Sequence, residues 1–193
     1  GDKIYLDYND MLAEENLDMV SICTYPPLHA PMVEAVAKAG VRAIHCEKPM
    51  ADSYGAAKRM VQACQENDCQ LTINHQRRFV ETYVKGKELL EEGRIGDLVR
   101  VEARCPNLYD WGTHYFDMMF FYNNDTPAEW VLAQIEPRGG REVFTMPHES
   151  QGLSYIKFEN DVYGLMISGR ETQTGIRLVG TDGIIDAPYT REV

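Results

Sequence analysis

Val41-Arg-Ala-Ile-His-Cys-Glu-Lys-Pro49 follows Gly40 and ends on a carboxylate, an ammonium and a proline. Residues 41–46 read as a short strand. In an open parallel α/β sheet, the carboxyl end of a strand faces the crevice where ligands bind. Pro49 fixes its own φ and biases Lys48 towards an extended backbone. Lys48 beside Glu47 can then act as a positioned cation or a proton relay. A solvated turn with a neighbouring charge pair fits the tripeptide equally well, so the surrounding chain has to decide.

On the N-terminal side, residues 8–16 read as a helix with Asp7 or Asn9 as its cap. Residues 19–24 form a continuous apolar run, as expected of a strand buried on both faces. Pro26-Pro27 ends that strand, Pro31 suits the first turn of a helix, and Gly40 closes it. On the C-terminal side, Ser53 or Asp52 caps a helix carrying Ala56, Met60 and Cys64, Asn67-Asp68 breaks it, and residues 71–74 form a third strand. The order α-β-α-β-α-β is half of a doubly wound sheet.

After Phe79 the period changes. Residues 83–92 read as a helix closed by Gly93. Residues 98–105 alternate, with Val99, Val101, Ala103 and Cys105 on one face and Arg100, Glu102 and Arg104 on the other. Period two means one buried face and one wet face, typical of antiparallel pairing. Segments 130–137, 153–159, 162–168 and 176–179 behave alike, with turns at 159–161 and 181–183. Arg138-Gly-Gly-Arg-Glu142 reads as a mobile loop. The fold class is α/β plus α+β: a partial doubly wound Rossmann domain, residues 1–77, then a mostly antiparallel open-sheet domain, residues 78–193, with helices on one face.

A chain of 193 residues has the bulk to bury a core, and a net charge of −11 argues against nucleic acid or an anionic membrane as main partner. No run approaches the ~18 apolar residues of a membrane span. The five cysteines are odd in number and lack zinc-site spacing, so they read as reduced thiols of a cytoplasmic protein, with no metal site.

Residues 110–122 read as a helix in which Asp110, His114 and Asp117 share one face. Asp110 at its start can orient the His114 imidazole, and Gly112 leaves room beside them for a ligand. A surface pair or a satisfied histidine fits Asp-x-x-x-His equally well. The aromatic run 115–122 reads as core. Tyr155, Tyr163 and Trp130 suit a flat interaction face.

Taken in order, Asp18-Met-Val-Ser-Ile-Cys-Thr24, Tyr25-Pro-Pro-Leu-His29, Glu47-Lys-Pro49 and Asp110-Trp-Gly-Thr-His114 resemble the glucose–fructose oxidoreductase and inositol dehydrogenase (Gfo/Idh/MocA) family of nicotinamide-dependent enzymes. The resemblance runs from Tyr8 to about Ile185. It implies a catalytic group of Lys48, Asp110 and His114. His114 would be general base, Asp110 its orienter, and Lys48 a ligand of substrate hydroxyl and cofactor ribose. It further implies that Thr24, Pro26, His29, Glu47, Lys48, Asn74 and Arg77 contact NAD or NADP. His29 can instead bond local backbone, and Arg77-Arg78 can instead be a solvated pair; Asp117 reads as structural. The implied activity is hydride transfer between the nicotinamide and a secondary alcohol or carbonyl of a sugar, cyclitol or similar polyol, by a homo-oligomer assembled through the C-terminal sheet. Two alternatives stand beside it: an NAD-dependent glycosidase of the same fold, and a truncated, non-catalytic sugar- or partner-binding paralogue.

One departure is large. No G-x-G-x-x-G precedes Asp18, and Gly1 is the only glycine before Gly40. The expectation is an internal fragment of a longer enzyme, with strand 19–24 at a sheet edge and weak dinucleotide binding by the 193 residues alone.

Overall fold

The computed structural model describes residues 3–140, 142–169 and 173–189. They fall into two units, Gly1–Asn74 and His75–Val193.

In the first unit, α1 (Tyr8–Glu14) starts where the Asp7 carboxylate accepts the Asn9 N–H at 2.8 Å. Three short parallel strands follow, β1 (Met19–Ile22), β2 (Ala43–Cys46) and β3 (Gln70–Ile73), in the order β1-β2-β3. Strand β1 is an edge. The crossovers are α2 (Pro26–Lys38) and α3 (Tyr54–Glu66). Ser53 caps α3 through Ala56 N, and Gly40, at φ +82°, turns the chain out of α2. Helix α2 begins five residues before the start suggested by Pro31. Pro26 and Pro27 occupy its first turn, where a missing N–H costs nothing, and Pro31 is carried inside. Val33, Val36, Ile44, Cys46, Met60 and Cys64 are buried between sheet and helices.

In the second unit, a 3-10 turn, Gln76–Phe79, leads to α4 (Glu81–Glu91). Strands β4 (Leu98–Cys105), β5 (Ala128–Glu136), β8 (Gln151–Phe158), β9 (Tyr163–Gly169), β10 (Gly175–Gly180) and β11 (Ile184–Pro188) form one sheet in the order β11-β10-β4-β9-β8-β5. All neighbours are antiparallel except β4 and β9. The alternation foreseen for 98–105 holds at Val101, Ala103 and Cys105, which are buried, whereas Val99, expected on the same face, is 39% exposed. The buried residues meet Ile156, Phe158, Met166, Ile176 and Leu178 from the same sheet face. Helix α5 (Gly112–Tyr122) covers this face with Tyr115, Met118, Met119 and Tyr122. Burying side chains of this size stabilises by ~1.5–3 kcal/mol each. Within the stretch 138–142, the part expected as a mobile loop, Glu142 begins a two-residue ladder: β6 (Glu142–Val143) pairs with β7 (Met146–Pro147). Arg141 lies outside the described residues.

The other sheet face carries a cluster of rings. Tyr155 and Tyr163 stack at 5.3 Å, and Trp130 packs against both at 5.9 and 6.4 Å. Beyond β9 the same face turns ionic, with Arg100 on Glu102 and Arg177 on Asp186.

Candidate active site

In the first unit the chemistry-bearing residues gather at the carboxyl ends of the strands. Thr24 follows β1, Glu47 and Lys48 follow β2, and Asn74 follows β3. Asn74 Nδ2 donates to Glu47 Oε1 at 2.6 Å, and its backbone N–H donates to the Cys46 carbonyl at 2.8 Å. The Lys48 backbone N–H reaches Glu47 Oε2 at 3.2 Å. The Glu47 carboxylate is therefore fixed from both sides. The Lys48–Pro49 peptide is cis.

His29, one turn into α2, is 0% exposed. Its Nδ1 lies 2.9 Å from the Pro49 carbonyl oxygen and its Nε2 lies 3.1 Å from that of Thr24. The local-backbone reading of this histidine is met by Thr24; the link to Pro49, twenty residues away, had no sequence signal. Pro26 is buried at the helix start.

In the second unit, Asp110 and His114 lie on the loop and helix that follow β4. Helix α5 starts at Gly112, so Asp110 stands in the turn before it rather than on the helix itself. The reason is Asn107, whose Oδ1 accepts the backbone N–H groups of Asp110 at 2.9 Å and Trp111 at 3.0 Å, while its carbonyl accepts that of Gly112 at 2.8 Å. Asn107 thus satisfies the amide groups of the turn ahead of α5, and Asp110, expected at the start of the helix, stands in that turn instead. An asparagine three residues before an acid, Asn107-Leu-Tyr-Asp110, was the available signal. The space at Gly112 serves this turn, because a Cβ there would meet the Asn107 carbonyl oxygen at 3.1 Å.

His114 is 4% exposed, and its ring meets that of His75 edge to face, centroids 6.0 Å apart. Arg77 is neither solvated nor at a strand end of the first unit. It is 8% exposed, with its guanidinium 4.7 to 5.2 Å from the rings of Trp111, Tyr115 and Tyr189, and it donates to the Tyr115 hydroxyl at 3.1 Å. Burial, together with the hydrogen bond shared with the Tyr83 hydroxyl, holds the Tyr115 phenol well above its ordinary value. Arg78 is not solvated either. It forks onto both oxygens of Asp117, at 2.8 and 2.9 Å, and reaches Asp125 at 2.8 Å, which gives Asp117 the structural role expected of it.

Two further residues were missed. Glu149 Oε1 accepts the Leu108 N–H at 2.5 Å and the Ser168 hydroxyl at 2.7 Å, so it pins the turn that carries Asp110. His148, 5% exposed, lies against the Tyr109 ring at 5.4 Å, and among the described residues neither of its ring nitrogens has a hydrogen-bond partner. Among the described residues no helix is long and apolar enough to cross a membrane.

Residues 2–75 match the family model described as an oxidoreductase family with an NAD-binding Rossmann fold. The chain is 38% identical over 201 residues to a D-xylose 1-dehydrogenase [NADP(+)] of Haloarcula marismortui, covering 93% of this chain and 56% of the relative. It is 26% identical over 210 residues to a myo-inositol 2-dehydrogenase of Thermotoga maritima, covering 99% and 62%. Its fold is similar to that of the WlbA dehydrogenase from Bordetella pertussis, solved with NADH and UDP-GlcNAcA, with TM-score 0.81 at 23% identity over 94% of this chain and 58% of that one. The chain therefore spans less than two thirds of the length of the proteins it resembles.

Proposed function

Since the chain belongs to the Gfo/Idh/MocA oxidoreductase family, we propose that it serves an NAD- or NADP-dependent dehydrogenase. The reaction is hydride transfer between the nicotinamide and a secondary alcohol or carbonyl of a sugar, cyclitol or similar polyol. One observation carries this reading: Thr24, Glu47, Lys48 and Asn74, and likewise Asp110 and His114, all follow the carboxyl ends of strands, where α/β sheets take their ligands. The relatives named above are a xylose and an inositol dehydrogenase.

The residues of the first unit fit the nicotinamide end of a dinucleotide. A fixed carboxylate-amide pair, Glu47 and Asn74, follows two of the strands, with Lys48 next in sequence to Glu47 and Thr24 after the third strand. When bound, the nicotinamide takes or gives the hydride, and the protein supplies position and electrostatics. His114 takes the hydroxyl proton as the carbon is oxidised, a task suited to imidazole, whose ordinary value of ~6.5 lies near neutrality. Asp110 orients His114, and Lys48 holds the substrate hydroxyl and the cofactor ribose. Thr24, Pro26 and Arg77 belong to the cofactor's surroundings, and His29, with both ring nitrogens on backbone carbonyls, supports them without offering the ligand a polar edge. The apolar ring cluster of Trp130, Tyr155 and Tyr163 supports assembly of a homo-oligomer through the sheet, and the five free cysteines support a cytoplasmic setting.

The test is a panel of sugars and cyclitols with NAD+ and with NADP+, following reduced nicotinamide. Net reduction that is lost in His114→Ala supports the proposal. Glycoside cleavage without net reduction selects the glycosidase alternative. No chemistry, and no change in binding in His114→Ala, overturns it in favour of a binding protein.

A further inference from the structure

His29 joins two loops that leave the sheet from different strands. Thr24 belongs to the loop after β1, and Pro49 directly follows Lys48 after β2. One buried ring spans them, with Nδ1 at 2.9 Å from the Pro49 carbonyl oxygen and Nε2 at 3.1 Å from that of Thr24. Both neighbours are acceptors only. A neutral imidazole has one N–H and donates to one of them; an imidazolium donates to both. In either state the ring faces protein backbone on both sides and is 0% exposed, which leaves it no polar edge to offer a ligand.

We propose that His29 is a positioning residue for Lys48: its ring ties the Pro49 carbonyl to the β1 loop and so fixes the segment from which the Lys48 ammonium projects. This deepens the dehydrogenase reading and rests on it for the role of Lys48. The strand ends beside it are already anchored. Glu47 N–H donates to the Ile22 carbonyl at 2.9 Å, Asn74 N–H to that of Cys46 at 2.8 Å, and Asn74 Nδ2 holds the Glu47 carboxylate. Past Glu47 the chain leaves the sheet, and the Pro49 carbonyl is gripped by a side chain instead of a strand. Residues on rigid supports position catalytic groups best, and a displacement of about an ångström far from the reacting atoms can cost on the order of a hundredfold in rate.

The experiment uses the intact native protein and two variants of His29. In His29→Phe the ring volume stays and both polar contacts go. In His29→Asn the side-chain amide can stand in for Nδ1 and donate to Pro49. Amide hydrogen exchange of the stretch 45–52 is read first, since it does not depend on turnover. The expected result is exchange on the order of ten-fold faster in His29→Phe, with protection restored towards wild type in His29→Asn and with the exchange of β3 unchanged. The second reading is a double-mutant cycle on kcat with Lys48→Met. His29→Phe alone lowers kcat about ten-fold, and His29→Phe in the Lys48→Met background lowers it no further, because the group it positions is gone.

Unchanged exchange at 45–52, equal loosening in both variants, or a full additive loss in the double variant overturns the proposal. If His29→Phe does not fold, the decision falls to His29→Asn, whose stretch 45–52 must stay protected. A wild-type protein that oxidises no polyol would sink the dehydrogenase reading, while the exchange result would still judge the tether.

Discussion

In the unit Gly1–Asn74 the groups at the strand ends are held mainly through backbone: His29 by two carbonyls, and the Asn74 and Glu47 amides by neighbouring strands, with one side-chain bond from Asn74 to the Glu47 carboxylate. In the unit His75–Val193 they are held by other side chains. Arg77 sits among three aromatic rings, Arg78 forks onto Asp117 and Asp125, and Glu149 clamps the Leu108 turn. A backbone tether survives most substitutions near it, because every residue supplies the same carbonyl. A side-chain tether is lost with one mutation or one proton. The first unit should therefore answer perturbation mostly in function, and the second mostly in stability.

The largest effect expected is on turnover. Lys48→Ala lowers kcat on the order of 10²–10⁴-fold while leaving unfolding of both units unchanged. Steady-state kinetics beside a urea melt check this; a loss of stability instead of rate would erase the contrast. Next comes Phe158→Ala, which empties a fully buried site under α5. It destabilises the second unit by ~3–5 kcal/mol. Hydrogen exchange resolved along the chain shows whether the core amides of α2 and α3 keep their protection.

Arg78→Met removes the fork on Asp117 and costs ~2 kcal/mol, in line with lost hydrogen bonds between charged groups. It also changes the acid response. Asp125 is held below its ordinary value of 3.8, chiefly by its hydrogen bond from Arg78. Its folded value is depressed, so the contribution is present above the ordinary carboxylate range and is lost as pH falls through the lower folded value. Urea midpoints measured from pH 5 down to 2 should drop more steeply for wild type than for Arg78→Met below about pH 4. The smallest effect is at His148, whose buried nitrogens lack partners among the described residues. His148→Phe should leave stability unchanged or raise it by ~1 kcal/mol, since no hydrogen bond is lost and a desolvated ring is replaced by an apolar one. A clear loss in the melt would show that these nitrogens are satisfied in solution.

The periodicities carried most of the architecture. Eight alternating residues placed β4 to the residue, because one face is sealed by α5 and the other is wet. Both α2 and α5 begin elsewhere than expected, and in each case a side chain decides the start. Two prolines preset the first turn of α2, and the Asn107 carboxamide takes the amides ahead of α5. The ladder of β6 and β7 is two residues per strand and has no period to read. The parallel contact of β4 with β9 joins residues some sixty apart, and no local pattern encodes such a partner. The same holds at the candidate site. Lys48, Asp110 and His114 could be named from motifs, whereas the Pro49 tether, the cage around Arg77 and the clamp by Glu149 exist only once distant segments meet.

The burial of four of the five thiols sets what an electrophile meets on this molecule. Burial pushes Cys46 and Cys105 up to about 12 and Cys64 up to about 11, and Cys69 is raised as well. A thiol must ionise to attack, so these four are silent near neutral pH. Cys23 alone is exposed, one residue past β1 and next to Thr24. Within these 193 residues Cys23 is therefore the one ready attachment point for a fluorophore or spin label, and that reporter would stand beside the loop where cofactor arrival is expected to be felt.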